Sequence, residues 1–212
     1  MRSKTQASQA SGFSDTLAQI DARVEANRRS EDVTRAGISR ADKPMMDFET
    51  VFQAVTAHVT RAAEKLRQHR LVAGTLTVFF HTNRYRPDRP QYAGSRTTRI
   101  PSMSSDTFEL VQAARRCAEA AWPRDKTIEY GFTKAGVMVN DLLPIADRPQ
   151  TLFDRSDTAP SAAMIALDKI NDRFGKKTMV LASEGMKQSW QLRADHRSPR
   201  YTTRLSDLPV VR

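Results

Sequence analysis

The clearest pattern of apolar positions lies in residues 46–69, where apolar side chains recur at steps of three and four. They are Phe48, Val51, Phe52, Val55, Val59, Ala62, Ala63 and Leu66. This period predicts an amphipathic helix with one buried stripe. Acidic residues at its start and basic residues at its end complement the helix dipole, which supports the same boundaries.

A second pattern, in residues 75–80, alternates threonine or phenylalanine with leucine, valine or phenylalanine, the period of a pleated strand. The proline-rich stretch 86–91 cannot continue a strand, so the chain must turn there. A further β run follows at 95–100. We therefore predict two strands joined by a loop.

The remaining elements complete an alternating order. Residues 106–122 predict a second helix, with Asp106 and Glu109 as a capping box. Its expected buried side comprises Phe108, Val111, Ala114, Ala118 and Ala121, with Cys117 beside them as a small core residue. Strands are expected at 35–40 and within 126–143, where two glycines indicate a bulge. The order β-α-β-β-α-β predicts an α+β fold in which two helices cover one face of an antiparallel sheet.

The chain divides into four expected parts. Residues 1–34 are polar and predict a mobile leader, and residues 35–143 form the sheet domain. Residues 144–159 are a linker, and residues 160–212 form a small helix-strand module. That module contains a helix over 161–174, ended by a glycine, and a short strand over 178–181. The expected buried face of its helix comprises Ala163, Leu167, Ile170 and Phe174.

The amino-acid composition makes the chain strongly basic. The formal net charge is +10 and the isoelectric point is near 10.2, which favours polyanionic partners, nucleic acid before membrane surfaces. No run reaches the ~18 apolar residues of a membrane span, and we expect no membrane partner. A single cysteine excludes an internal disulfide, and with a polar N-terminus it favours a cytoplasmic location.

The positive charge is dense in the loop between the two central strands. Between Arg84 and Arg99 there are five arginines against one acid, Asp88, with Tyr85 and Tyr92 interleaved. Arginine presents a planar fork of donors that suits phosphate oxygens. This stretch indicates a nucleic-acid-binding surface, and a solvated loop with ordinary charges is the alternative.

No pattern of catalytic residues accompanies this surface. The four histidines and one cysteine lack metal-ligand spacing, and no glycine-rich phosphate loop or serine nucleophile motif occurs. Asp106 and Glu109 are explained by helix capping, and Asp141 by a strand end. We therefore expect no cofactor, no metal and no active site formed by this chain alone.

Several segments, in one collinear order, resemble the C-terminal half of the UmuC family. The segments are RAAEKLR, TVFFHTNRYRPDRPQYAGSRT, YGFTKAGVMVNDLLP, LFD, LDKINDRFGKKT and SPRYTTRLSDLPVV. Proteins of this family are catalytic subunits of the bacterial SOS-induced translesion DNA polymerase V and belong to the Y-family of polymerases. The likeness covers residues 38–212, and the pair KAGVM and SPRYTTR is its most specific part.

The resemblance implies roles for particular residues. Residues 35–143 correspond to the little finger domain, which lays its sheet on primer-template DNA. The candidate backbone-contacting residues are Arg84, Arg86, Arg96 and Arg99, which we expect on the sheet face that the helices leave free. The family's sliding-clamp peptide corresponds to residues 149–153, with Gln150 displaced by one position and Leu152 and Phe153 as the apolar pair. Alternatively, Leu152 and Phe153 pack on the chain's own tail.

The resemblance also sets an expectation about catalysis. The family's palm, which carries the catalytic carboxylates, has no counterpart before residue 38, so we expect DNA binding and partner binding without nucleotidyl transfer. The alternative function is an interaction module that binds the accessory subunit, the recombinase filament or the sliding clamp without significant DNA binding.

Overall fold

The structure is a computed structural model that describes residues 38–125, 127–149, 161–185, 188 and 190, without the side chains of 38–42. Its helices and strands are β1 (Ile38–Met45), α1 (Phe48–Gln68), β2 (Leu71–Thr82), β3 (Ala93–Ser104), α2 (Thr107–Ala121), β4 (Phe132–Pro144) and α3 (Ala162–Phe174). Two 3-10 helices, Ile145–Asp147 and Ala182–Glu184, complete the described elements. The expected leader over 1–34 lies outside the described residues.

The four strands form one antiparallel sheet in the order β1-β4-β2-β3. β4 lies between the parallel strands β1 and β2, and β2 lies between β3 and β4. The fold is therefore two interleaved split βαβ units, each with its helix packed on the sheet. The predicted α+β class and element order are confirmed.

The two faces of the sheet differ in what covers them. On β2, Leu76, Val78 and Phe80 are fully buried, and they belong to the core shared with the helices. The alternating residues Thr77 and Phe79 point the other way and are only half-buried. We call the side bearing Thr77 the open face, because the helices pack on the opposite side.

Helix α1 begins where the sequence indicates, because Asp47 caps it by accepting a hydrogen bond from the Thr50 amide at 2.7 Å. Asp106 caps α2 in the same way through the amide of Phe108. The expected buried face of α2 is wrong at Phe108, which is 50% exposed, whereas Leu110 is fully buried. The packing of α2 turns Leu110 and Cys117 towards the sheet and leaves Phe108 on the outside.

Two strands run further than predicted, and each passes through a proline. β1 continues past Pro44 to Met45, and β3 continues past Pro101 to Ser104. Both are edge strands of the sheet, where a missing amide donor costs no ladder hydrogen bond. The pairing of β1 with β4 also shifts register between Arg40 and Met45.

The C-terminal segment departs from two expectations. Residues 178–181 form a bend and an irregular stretch rather than a strand, since the Asn171 side chain bonds both the amide and the carbonyl of Met179. Helix α3 buries Met164 and Leu167, whereas Phe174 is 66% exposed. The predicted buried face of α3 is therefore confirmed at Leu167 and wrong at Ala163 and Phe174. Gly175 ends the helix as expected, with a φ of 107°.

A cluster of rings fills the core below the loop between β2 and β3. Phe80 and Phe132 meet edge-on at 5.1 Å, and the Tyr92 ring lies 6.0 Å from Phe132. The Tyr92 hydroxyl donates to the carbonyl of Ala121 at 2.6 Å. Gly94 is required here, because a Cβ would lie 2.7 Å from the same carbonyl. The cluster therefore pins the start of β3 to the end of α2.

The C-terminal segment packs on α1 through a buried ion pair. The Arg67 guanidinium, 5% exposed, bonds both carboxylate oxygens of Asp168 on α3 at 2.6 and 2.7 Å. It also donates to the carbonyl of Ser105 and the hydroxyl of Thr107, at 2.9 and 2.8 Å. Such a bidentate pair is both strong and geometrically specific. It fixes α3 against α1 and the β3–α2 junction.

Further along, the same segment lies against the N-terminal half of α1. Gly185 approaches the Gln53 side chain so closely that an added Cβ would lie 2.6 Å from it. Trp190 is 5% exposed, with its ring 6.3 Å from that of His58. Burial, reinforced by the positive charges of Arg61 and Lys177, lowers the pKa of His58 to about 4. His58 is therefore a packed residue that is neutral at pH 7.

Replacing Asp168 by Asn should destabilise the protein by about 2 kcal/mol, because the buried Arg67 loses its counter-charge. The figure is below the ~3–5 kcal/mol of fully buried pairs, since Asp168 is 25% exposed. Urea unfolding measures the change. The matched control is Glu119→Gln, which breaks the exposed pair with Arg115 and should have a much smaller effect on the free energy of unfolding. Equal costs for the two variants would contradict this account.

Acid should destabilise the protein through His58. The unfolded chain binds a proton at this residue below pH 6.5, whereas the folded chain does so only near pH 4. The stability contributed by the neutral form is thus present above pH 6.5 and is lost, by up to roughly 3 kcal/mol, as the pH falls to 4. Urea unfolding at several pH values should show a smaller loss of unfolding free energy on acidification in His58→Gln than in the original protein. An unchanged pH dependence in that variant would be inconsistent with this role.

Candidate nucleic-acid interface

The open face of the sheet carries hydroxyl groups and a few cations. The register places Thr77 beside Thr97, and their hydroxyl oxygens lie 2.8 Å apart. Two residues before Thr77 on β2, Thr75 pairs with Arg99. Two residues after it, Phe79 pairs with Ser95. On the other side of β2, the paired residues of β4 are Asn140, Met138, Gly136 and Lys134. None of these positions is acidic.

The four predicted DNA-contacting arginines do not share this face. Arg99 pairs with Thr75 and lies on the open face, whereas Arg96 pairs with the buried Val78 and lies on the helix side of β3. The expectation that both point away from the helices is wrong, because side chains three positions apart on a strand point to opposite faces. Arg96 is nonetheless exposed, since β3 is an edge strand.

Arg84 and Arg86 lie in the β2–β3 loop, where they line a groove of about 860 Å³. Arg89 from the same loop and Lys134 from β4 line it as well. Pro44, Gly131 and Thr133 contribute to the wall on the side of β1 and β4. No acidic residue is among the described residues that line this groove. We call it the cationic groove; the sequence did not reveal Lys134 as part of it, because the contact depends on sheet register.

Hydrogen bonds hold the loop in one shape. The Gln91 side-chain amide donates to the carbonyls of Arg86 and Arg89, at 2.8 and 3.1 Å. Its oxygen accepts from the Thr82 hydroxyl at 3.0 Å, and that hydroxyl accepts from the Tyr92 amide at 3.0 Å. Gln91 therefore bridges the two sides of the loop and fixes the backbone that carries the arginines. Sequence inspection gave no sign of this role.

The two tyrosines of the loop have different environments. Tyr92 belongs to the ring cluster and is anchored by its hydroxyl. Tyr85 lines the cationic groove and is 83% exposed. Tyr92 thus stabilises the fold, and Tyr85 is available to a ligand.

Cys117 and Asp141 do not line the cationic groove. Cys117 is buried, 3% exposed, and burial raises the pKa of its thiol, which fits a core residue. Asp141 lies within β4 rather than at its end, in a left-handed conformation with φ 53°. Gln150, Leu152 and Phe153 lie outside the described residues. Within the described part of the chain, no three His, Cys, Asp or Glu residues are grouped so as to hold a metal ion.

None of the helices in the described ranges combines the length and the apolar character needed to cross a membrane.

Two family models match the chain. Residues 39–152 match the C-terminal domain of the impB/mucB/samB family, and residues 161–211 match a domain of unknown function, DUF4113. The first match covers the whole sheet and the cationic groove. Arg67 and Asp168 therefore join the two matched regions.

Curated relatives align over most of this chain. Protein UmuC of Salmonella typhimurium strain LT2 is 36% identical over 170 residues, which are 78% of this chain and 39% of the relative. Protein SamB of Salmonella typhimurium is 31% identical over 78% of this chain and 38% of its own length. Protein MucB of Escherichia coli is 34% identical over 75% of this chain and 37% of its own length. The chain thus spans less than two-fifths of the length of these relatives, and the resemblance to the UmuC family is confirmed.

Replacing Gln91 by Ala should increase the mobility of residues 83–91, because the Arg86 and Arg89 carbonyls lose their shared donor. Backbone ¹⁵N relaxation should show lower order parameters in the loop, with a loss of unfolding free energy below about 1.5 kcal/mol. Gln68→Ala removes an amide bonded only to Glu64 within α1 and is the matched control. Unaltered order parameters in Gln91→Ala would contradict the bridging role.

Proposed function

The chain belongs to the impB/mucB/samB family, and on this premise we propose that residues 38–149 form the DNA-holding part of a UmuC-like translesion DNA polymerase. The observation that carries the proposal is the cationic groove, where three loop arginines and Lys134 converge with no acid among the described lining residues. Phosphate oxygens are the groups that such a set of donors suits best.

The open face extends this surface along the sheet. His81 lines the groove, and Thr75 lies beside Arg99. These two residues of β2 are six positions apart, or about 20 Å along the strand. The hydroxyl groups of Thr77, Thr97 and Ser95 lie between these two cationic regions. Either Thr77 or Thr97 donates to the other, so the remaining hydroxyl of that pair and Ser95 can donate to phosphate or sugar oxygens. The surface therefore suits a backbone that runs across several nucleotides. Contacts of this kind carry little sequence preference.

The remaining parts of the proposal rest on the resemblance. We assign nucleotide addition to parts of the polymerase other than residues 38–212, and we place the protein in the cytoplasm. Binding of the sliding clamp through Gln150, Leu152 and Phe153 stays a prediction, as does recognition of an accessory subunit or a recombinase filament by residues 144–212. Should DNA binding fail, this interaction role is the remaining candidate.

Arg84→Ala with Arg86→Ala should lower affinity for primer-template DNA about tenfold, because two phosphate contacts are lost. The slope of log affinity against log salt concentration should become shallower by about 2, at ~0.9 per phosphate. Fluorescence anisotropy over a range of salt concentrations measures both quantities.

The matched control is Arg96→Ala with Arg116→Ala, which removes the same charge from exposed arginines outside the open face and groove. Equal losses in the two double variants would mean that net charge alone attracts DNA. The same protein is expected to give no primer extension, and nucleotide incorporation would overturn the assignment of catalysis elsewhere.

A further inference from the structure

Tyr85 has an environment that phosphate binding does not explain. It is 83% exposed, the highest exposure among the large hydrophobic residues of the described chain that lie on the surface. Its neighbours Arg84 and Arg86 line the same groove. The other described tyrosines, Tyr92 and Tyr130, pack in the ring cluster. An aromatic ring between cations at the mouth of a groove offers a flat surface beside phosphate-binding groups.

The backbone that carries this ring is already ordered. The Tyr85 amide donates to the side-chain oxygen of Asn83 at 3.1 Å, and the Arg86 amide donates to the Asn83 carbonyl at 3.1 Å. The next turn is closed by the Arg89 amide on the Arg86 carbonyl at 3.2 Å, beneath the Gln91 bridge. A ligand that stacks on Tyr85 therefore has little backbone entropy to remove on binding.

The chemistry of the ring selects the form of the nucleic acid. A base within a duplex has both faces covered by its neighbours, whereas a base at a single-stranded junction has a free face that can stack on an aromatic ring. Cations flanking the ring then hold the phosphates on either side of that base. A duplex alone would use the arginines and leave Tyr85 without a role.

We propose that the cationic groove binds the unpaired strand of a primer-template junction, with one unpaired base stacked on Tyr85 and the adjacent phosphates held by Arg84 and Arg86. This inference rests on the proposed DNA-binding function and adds to it a single-strand subsite. Lys134, on the opposite wall of the groove, meets the phosphate of the nucleotide beyond.

The test uses the full chain, a blunt duplex, and the same duplex with a 5′ overhang that carries 2-aminopurine at its first unpaired position. Tyr85→Leu should weaken binding of the overhang DNA about five- to a hundredfold, the effect of losing one base-aromatic stack. Binding of the blunt duplex should change less than twofold. Tyr85→Phe keeps the ring and should bind both DNAs as the original protein does. Fluorescence of 2-aminopurine should be quenched by the original protein and by Tyr85→Phe, but not by Tyr85→Leu.

The outcomes separate this inference from the one on which it rests. If both DNAs bind and Tyr85→Leu affects them equally or not at all, the stacking subsite is refuted while DNA binding stands. Quenching that persists in Tyr85→Leu would also refute it. If neither DNA binds the original protein, the proposed function fails, and the subsite fails with it.

Discussion

One buried guanidinium joins the C-terminal segment to the sheet domain. A cation withdrawn from water must be paired and fully hydrogen-bonded, and Arg67 satisfies this requirement with three residues at two separate places. Asp168 comes from α3, while Ser105 and Thr107 mark the junction of β3 with α2. Since Arg67 lies one residue before the end of α1, its side chain links that end of α1 to α3 and to the start of α2. The two regions matched by family models are consequently in direct contact.

This fixed frame explains how the candidate site can be rigid although it lies in a loop. The ring cluster around Tyr92 anchors one end of the β2–β3 loop, and Gln91 fixes its middle. The free energy of folding therefore already includes the repulsion between these like charges before a ligand binds. Groups already in place lose less entropy on binding, and a polyanion then relieves their mutual repulsion.

The helices and strands of the sheet domain could be predicted from the sequence. The hydrophobic periods of α1 and β2 and the capping carboxylates depend only on residues close together in the chain. The family followed from collinear motifs. The errors concern properties that depend on distant partners. The face of Arg96 is set by its register against β2, and the phase of α2, which leaves Phe108 exposed, is set by its packing. The hydrogen bonds of Gln91 depend on how the β2–β3 loop closes. The hydrophobic periods of strands and helices, two and 3.6 residues, carry no information about loop closure.

The position of the C-terminal segment has one more consequence. It lies against α1, which covers the helix side of the sheet, whereas Arg99 and the row of hydroxyls lie on the opposite side. A protein docked on α3 and a nucleic acid lying on the sheet would not compete for space. Simultaneous occupancy, as in a ternary complex, is thus geometrically open to this chain without any rearrangement of its core.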